Sequence, residues 1–221
     1  MLSPTCSATN ANRRRQTCRD DALTEALHLP DPPISLSGFR LRPWATTDVP
    51  ALVAAWRDPE MARWMPEETN PLEAEQARAF VDDAARHLST GKSVALAIAD
   101  ESTDRAVGSV TLHVWGPRHW NVGYWVAADQ RRHGLATEAV TKLTRWAFAA
   151  NPNLARLSLY TMPGNESSQK VAEHAGFRRE GVLRRWAEIK GKQLDWVMFS
   201  LIREDLETED DASRLMDSLD R

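Results

Sequence analysis

Residues 123–139 read GYWVAADQRRHGLATEA, and no other stretch of the chain carries so strong a fold signal. Apolar residues up to Val126 predict the end of a strand, and apolar spacing from Ala136 predicts a helix. The polar turn between them begins the motif R-x-x-G-x-A, which runs from Arg131 to Ala136 with its glycine at Gly134. Small residues allow a tight turn close to a ligand. Free N–H groups at the helix start would bind an anion, and a pyrophosphate group fits such a site. An ordinary strand–helix turn shows the same local pattern.

Residues 165–177, NESSQKVAEHAGF, supply a second signal. Asn165 is a good N-cap and Gly176 a good C-cap, so the stretch predicts a short helix. Local helix capping explains both residues by itself. Only in combination with the turn at 131–136 does the stretch indicate more than a helix.

Around these two stretches, strands and helices alternate in an orderly way. Strands are predicted at 39–42, 94–99, 106–115, 121–127, 157–161, 182–189 and 194–202. Helices are predicted from Asp48 toward Asp58, from Asn70 to Gly91, at 136–149 and at 165–175. The order predicts an α/β (α+β) fold with a mixed, mostly antiparallel sheet, a parallel βαβ portion and flanking helices.

The ends of the chain differ in composition from its middle. We expect a flexible N-terminal extension at 1–33, one folded domain at 34–203 and an acidic C-terminal tail at 204–221. The tail carries eight acidic residues against two arginines, which favours a frayed helix or disorder there.

Composition excludes several function classes. The 221 residues suit one domain, and a net charge of −3 gives no support for binding nucleic acid or anionic membranes. No apolar run reaches the roughly 18 residues that span a bilayer, and the N-terminus lacks a signal-peptide core. Cys6 and Cys18 are too few for a disulfide scaffold or a four-cysteine zinc site, so a reducing cytoplasm is the expected compartment.

Other catalytic and binding motifs are absent from the sequence. The four residues at 90–93, TGKS, resemble the end of a phosphate-binding P-loop, but a helix precedes them and a strand follows, which is the reverse of that motif. The sequence contains no G-x-G-x-x-G, no G-x-S-x-G and no metal-ligand spacing of histidines. We therefore expect no metal.

The two stretches together resemble the GNAT superfamily of N-acetyltransferases. R-x-x-G-x-A after G-Y-W-V, followed by T-E-A, is similar to its acetyl-CoA-binding motif. N-x-x-S-x-x-V-x-E-x-x-G-F-x-x-E-G, from Asn165 to Gly181, resembles the branch that acetylates N-terminal amines of ribosomal proteins. R-L-R-P from Arg40, W-R-D-P from Trp56 and the ending from Gly191 agree in order and spacing. The resemblance covers about residues 36–203.

The resemblance implies acetyl-CoA as cosubstrate, bound where two strands splay apart. The pantetheine arm would pair with the strand at Tyr124, Trp125 and Val126, and Asn165 would hydrogen-bond it. Arg131 and Arg132 would add charge near the pyrophosphate, although the family often has glycine at the position of Arg132, whose side chain would then point into solvent. Backbone amides would hold the pyrophosphate at Arg132, His133, Gly134, Leu135, Ala136 and Thr137.

The resemblance also implies direct transfer of the acetyl group to a neutral amine. Many members use a glutamate as base where Asn121 stands and a tyrosine as acid where Ala172 stands, so this chain departs from the family at both positions. Ser168 is the best remaining candidate near the sulfur. Glu138 and His119 are weaker candidates for the base, with a structural role the favoured reading of each.

The predicted function is acetyl-CoA-dependent N-acetylation of a primary amine. A weak base favours an α-amine, whose pKa near 7.7–8.0 lies about 2.5 units below that of lysine. The alternatives are a small-molecule acetyltransferase acting on an antibiotic or polyamine and a catalytically weak acyl-CoA-binding relative. The expected partner is the amine acceptor, with neither nucleic acid nor membrane, and the expected state is a monomer or homodimer.

Overall fold

One mixed sheet organises the chain. The computed structural model describes residues 27–65, 73–189 and 191–206, and within these ranges seven strands pair in the order β1-β2-β3-β4-β5-β7-β6. The strands are β1 (Phe39–Pro43), β2 (Ser93–Asp100), β3 (Ala106–Gly116), β4 (His119–Val126), β5 (Arg156–Thr161), β6 (Arg178–Ile189) and β7 (Lys192–Ile202). β4 and β5 run parallel and the other pairs are antiparallel. The predicted fold class is confirmed.

Five α-helices flank this sheet in the described ranges: α1 (Val49–Trp56), α2 (Pro59–Trp64), α3 (Ala74–Ser89), α4 (Leu135–Ala150) and α5 (Glu166–His174). The sequence analysis missed α2, which is too short to show a periodic apolar pattern and starts at Pro59 after the N-cap Asp58. Glu73 caps α3; the predicted cap Asn70 lies outside the described residues. No helix in these ranges is long and apolar enough to cross a membrane.

Two apolar layers bury the two faces of the sheet. α4 and α5 cover one face with side chains that include Val140, Leu143 and Ala172, and alternate residues of the strands point into this layer. α1, α2 and α3 cover the other face over β2 to β4 with a second cluster around Leu52, Val81 and Trp125. Each helix exposes its polar side, as expected for amphipathic helices packed on a sheet.

The parallel strands β4 and β5 separate at one end. Their pairing runs from His119 opposite Arg156 to Val122 opposite Leu159, and stops there. β4 continues to Val126 and β5 to Thr161 without pairing to each other. The space between the unpaired ends of β4 and β5 is called the gap. α4 and α5 both start beyond these ends, so their N-termini lie at the gap. The carboxyl ends of parallel strands are the usual place for a ligand.

The folded domain reaches beyond the boundaries predicted at 34 and 203. Leu27 and Leu29 pack against the core, and the Leu27 N–H donates to the Leu88 carbonyl at 3.2 Å. At the other end Asp205 is buried, accepts from the Ile202 N–H at 3.1 Å and pairs with Arg178 at 2.8 Å. Apolar side chains at 27 and 29 were too few to be noticed in a polar stretch. Residues 1–26 and 207–221 lie outside the described ranges.

Candidate active site

The turn between β4 and α4 has the backbone geometry of an anion site. Gly134 is the N-cap of α4 with φ +79°, and Arg132 also has a left-handed φ, of +66°. The first helical hydrogen bond runs from the Glu138 N–H to the Gly134 carbonyl, so the N–H groups of 135–137 precede it. A Cβ placed at Gly134 would meet no atom within 4 Å. The turn is thus an open concave surface lined by backbone donors.

Arg131 braces this turn from the side. Its Nε donates to the Val126 carbonyl at 3.1 Å, and its guanidinium pairs with the Asp58 carboxylate. Asp58 also caps α2 by accepting from the Glu60 N–H at 3.0 Å. The charge of Arg131 is therefore matched by Asp58, and its role beside the pyrophosphate stays a prediction. Asp58 was missed by sequence reasoning because it lies 73 residues from its partner.

The unpaired end of β4 offers its backbone to the gap, while two of its side chains face the core. Trp125 is buried and stacks on Trp44, with ring centroids 6.2 Å apart. Val126 is also buried, in the cluster under α4. Any contact that these two residues make with a cofactor must therefore come from the main chain, as the predicted strand-like pairing requires.

Tyr124 connects β4 with the first turn of α5. Its hydroxyl donates to Ser168 Oγ at 2.8 Å, and the Ser168 N–H donates to Oδ1 of the N-cap Asn165 at 3.1 Å. Burial raises the pKa of Tyr124 to about 12, and the hydrogen bond with Ser168 only partly opposes this. The phenol therefore keeps its proton at neutral pH. The role of this hydroxyl was not predicted, since the two residues are 44 positions apart.

A row of polar side chains crosses the opposite face of the sheet. The strand register places His113, Asn121, Ser158 and Ser200 side by side on β3, β4, β5 and β7. Their strand neighbours Leu112, Val122, Leu157 and Leu201 point into the core under α4 and α5. Asn121 Oδ1 is buried and has no hydrogen-bond donor among the described residues. The row itself contains no carboxylate.

The two weaker candidates for the base have structural partners. Glu138 accepts from the Ser37 N–H with both oxygens at 3.1 Å and pairs with Lys142 at 2.9 Å. Burial raises the pKa of Glu138, but the hydrogen bonds from Lys142 and Ser37 outweigh this and lower it overall. His119 Nε2 lies 2.7 Å from Ser158 Oγ, and burial, with a smaller effect of Arg156, lowers its pKa. It stands at the paired end of β4, away from the gap.

An aromatic stack borders the polar row. The Trp115 and Tyr160 ring centroids are 5.4 Å apart, those of Tyr160 and Trp186 are 6.1 Å apart, and both pairs are stacked. Trp115 and Trp186 remain 50% and 55% exposed. This aromatic stack was not predicted because its members come from β3, β5 and β6.

A cleft of about 380 Å³ lies between the β5–α5 loop and the β6–β7 hairpin. It is lined by Met162, Pro163, Gln193, Leu194 and Asp195. Its volume lies within the usual range for a small-molecule site.

The gap has features that fit acetyl-CoA. The backbone donors at 135–137 suit a diphosphate, and the cradle at Gly134 leaves room for it. Thr161 lies at the unpaired end of β5, and its Oγ1 is buried without a hydrogen-bond partner among the described residues. A buried hydroxyl of this kind suits a ligand with amide groups. The described ranges contain no cluster of metal-ligating side chains.

Comparison with known proteins agrees with this geometry. The family model of the acetyltransferase (GNAT) domain matches residues 39–178. The chain belongs to the GNAT acetyltransferase family. It is therefore an acetyltransferase enzyme, and the predicted family is confirmed.

Relatives carry N-acetyltransferase names, and solved structures share the fold. N-acetyltransferase YoaA of Bacillus subtilis, an uncharacterized protein, is 26% identical over 74% of this chain and 92% of its own. A ribosomal-protein alanine acetyltransferase from Vibrio fischeri superimposes with TM-score 0.69 and 21% identity, over 78% of this chain and 97% of its own. The microcin self-immunity acetyltransferase MccE was solved with acetyl-CoA and AMP. It superimposes with TM-score 0.68 and 19% identity, over 76% of this chain and 93% of its own.

Proposed function

We propose that the protein transfers the acetyl group of acetyl-CoA to the α-amine at the N-terminus of a protein or peptide. The observation that carries this acceptor is the neutral polar row at the gap, where Asn121 occupies the place of a carboxylate base. An α-amine has a pKa about 2.5 units below that of a lysine side chain, so its neutral fraction at pH 7 is roughly 300-fold larger. The row itself has no carboxylate, and the nearby Glu180 is engaged by Ser200 and Arg156, so the site favours such an amine.

Backbone groups would hold acetyl-CoA in this site. The amides at 132–137 would bind the diphosphate, and the strand at 124–126 would pair with the pantetheine arm. Thr161 and Asn165 lie beside the same gap and would bind the amides of the arm. Acetyl-CoA supplies the activated thioester carbonyl.

Side chains on α5 and β4 would handle the departing sulfur. The Ser168 hydroxyl would donate its proton to the thiolate as the carbon–sulfur bond breaks, Tyr124 would replace that proton through its 2.8 Å hydrogen bond, and water would return a proton to the phenol before the next turnover. Many family members carry a tyrosine on the last helix as the acid, and Ala172 stands at that position here. The phenol of Tyr124 on β4 would supply the proton instead.

Relatives support the N-terminal acceptor in name and fold. One structural neighbour is a ribosomal-protein alanine acetyltransferase. A Bacillus subtilis relative, a putative ribosomal N-acetyltransferase, is 34% identical over 46% of this chain and 56% of its own. These names support a protein acceptor for this chain.

A small-molecule acceptor is the second candidate, and the aromatic stack favours it. Exposed faces of Trp115 and Trp186 would stack on a planar ring, and the cleft beside 193–195 has the volume of a small ligand. The neighbour MccE was solved with AMP, a molecule with such a ring.

The experiment is an acceptor screen with thiol detection. Peptides with a free α-amine and no lysine, matched α-acetylated peptides that contain lysine, polyamines and aromatic amines are each incubated with acetyl-CoA. We expect thiol release with the first class alone, and mass spectrometry should locate the acetyl group on the α-amine. Turnover restricted to aromatic amines would favour the second candidate. Absence of turnover with every class would indicate an acyl-CoA-binding relative.

A further inference from the structure

His113 lies directly opposite Asn121 on the face of the sheet that carries the polar row. We call this the acceptor face. The two residues are register partners on β3 and β4, and Leu112, Val114, Trp120 and Val122 on either side of them face the core under α4. Side chains directly opposite each other on antiparallel strands have Cβ atoms roughly 4.5–5.5 Å apart. The imidazole and the carboxamide therefore share one small region of the sheet.

The imidazole reaches the end of the strand pairing. A Cβ built on Gly123 would lie 3.7 Å from His113 Nε2. Gly123 is the first β4 residue beyond Val122, where pairing with β5 stops. Because position 123 has no side chain, only main-chain atoms of Gly123 lie between the ring nitrogen and the end of the pairing.

Asn121 supplies an independent indication of a ligand. Its Oδ1 is buried, yet no donor reaches it from any residue that the structure describes. A buried carbonyl oxygen normally accepts a hydrogen bond. A primary amine has N–H groups to donate, and this oxygen belongs to the residue that is the register partner of His113.

The imidazole is in the charge state that can accept a proton. Burial lowers the pKa of His113, and the nearby His87 on α3 lowers it further. The register partners of His113 on the flanking strands, Ser93 and Asn121, are both neutral. In the tautomer with its proton on Nδ1, Nε2 carries a free lone pair toward Gly123.

We propose that His113 is the general base of this enzyme and that Asn121 Oδ1 orients the acceptor amine for it. The inference rests on the proposed acetyl transfer. The acceptor ammonium gives one proton to His113 Nε2, which passes it to water, and the nitrogen lone pair freed in this way attacks the thioester carbonyl carbon. The attacking nitrogen then gives its second proton to the same, again neutral, imidazole. The carbon–nitrogen bond forms, the carbon–sulfur bond breaks with its electron pair on sulfur, and Ser168 protonates the thiolate. The imidazolium then returns its proton to water.

The test compares three histidine variants across a pH series. His113→Gln should lower kcat about 100-fold or more at neutral pH and remove the acid limb of the kcat/KM profile, while acetyl-CoA binding is unchanged. His87→Gln should keep activity and move that limb to higher pH, because the charge that lowers the pKa of His113 is gone. His119→Gln, a histidine on the same face, should leave the limb in place.

Two further measurements separate chemistry from folding. A weakly basic acceptor that is already neutral at the assay pH should lose far less rate in His113→Gln, which a structural defect would not produce. Asn121→Ala should raise the acceptor KM roughly tenfold, about 1.4 kcal/mol, and keep the acid limb. An unchanged pH profile in His113→Gln, or loss of the limb in His119→Gln instead, would overturn the assignment while the acetyltransferase activity stands.

A binding measurement decides the matter independently of turnover. Imidazole NMR signals of the wild type are followed while an acceptor peptide is added in the presence of CoA, which cannot acetylate it. The signal that is missing from His113→Gln should shift, and the signal of His119 should not. If the wild type releases no thiol with any amine, the proposed function fails, and an unshifted His113 signal overturns this site as well.

Discussion

The two sides of the gap are built in different ways. On the cofactor side, main-chain groups form the surface: left-handed residues at 132 and 134, helix N–H groups at 135–137 and the unpaired strand at 124–126. On the acceptor side, side chains from four strands form it, with His113 and Asn121 at its centre. A surface of backbone groups is specified by one local motif, whereas a surface of side chains depends on the register of distant strands.

The two proposed proton transfers also lie on different faces of the sheet. The donor pair Tyr124 and Ser168 lies toward α5, and the neutral acceptors lie on the other face. Proton delivery to sulfur and proton removal from the amine can therefore be changed one at a time. Each of the following variants is chosen to affect one side and spare the other.

Gly134→Asp should have the largest effect. A side chain at φ +79° is strained, and its carboxylate would stand among the backbone donors that hold the diphosphate. Acetyl-CoA should no longer raise the melting temperature of the folded variant. Gly191→Asp is the matched control, since Gly191 has φ +71° and equally open surroundings in the turn between β6 and β7. Full cofactor binding by folded Gly134→Asp would refute the backbone site.

Loss of the sulfur-side donor should lower kcat without weakening cofactor binding. We expect roughly a tenfold or greater decrease in Ser168→Ala and a smaller one in Tyr124→Phe, which keeps the ring and removes the hydroxyl. If the phenol acts only through Ser168, the double variant should be no slower than Ser168→Ala alone. Additive losses in this cycle would show that Tyr124 acts separately.

Trp186→Ala should affect the acceptor side alone. For an aromatic acceptor, the second candidate, loss of one stacking face should raise the acceptor KM between about twofold and tenfold, with acetyl-CoA affinity unchanged. Val182→Ala is the control, because Val182 is exposed on the same strand and lies outside the aromatic stack. An equal change in both variants would mean that the stack does not contact the acceptor.

Deletion of residues 1–26 should have the smallest effect. We expect little change in the free energy of unfolding or in the binding of either substrate. Deletion of 1–33 should instead lower the free energy of unfolding by about 2 kcal/mol, because Leu27 and Leu29 leave the core. Chemical denaturation of both truncated proteins measures the difference. Equal stability of the two would show that these leucines contribute nothing, and loss of activity on removing 1–26 would give that segment a role in the site.

Sequence reasoning predicted the seven strands and the turn before α4 because their signals are local. Apolar runs on either side of a polar turn mark β2 and β3, and Gly134 next to a helical pattern marks the turn before α4. It missed α2, which is too short to show a period. It also missed the hydroxyl of Tyr124 and the position of His113, since only the pairing of β3 with β4 and of β4 with α5 brings these groups to the gap.

Asp58 belongs to both sides at once. Its carboxylate caps α2 on the acceptor face and holds Arg131 at the base of the cofactor turn. If cofactor binding moves Arg131, it changes the capping of α2, and a ligand that changes this capping must act back on the turn by the same free energy. The strength of this reciprocity for the acceptor is measured as the ratio of acetyl-CoA affinities with and without it. A single shared carboxylate thus connects α2 with the turn before α4.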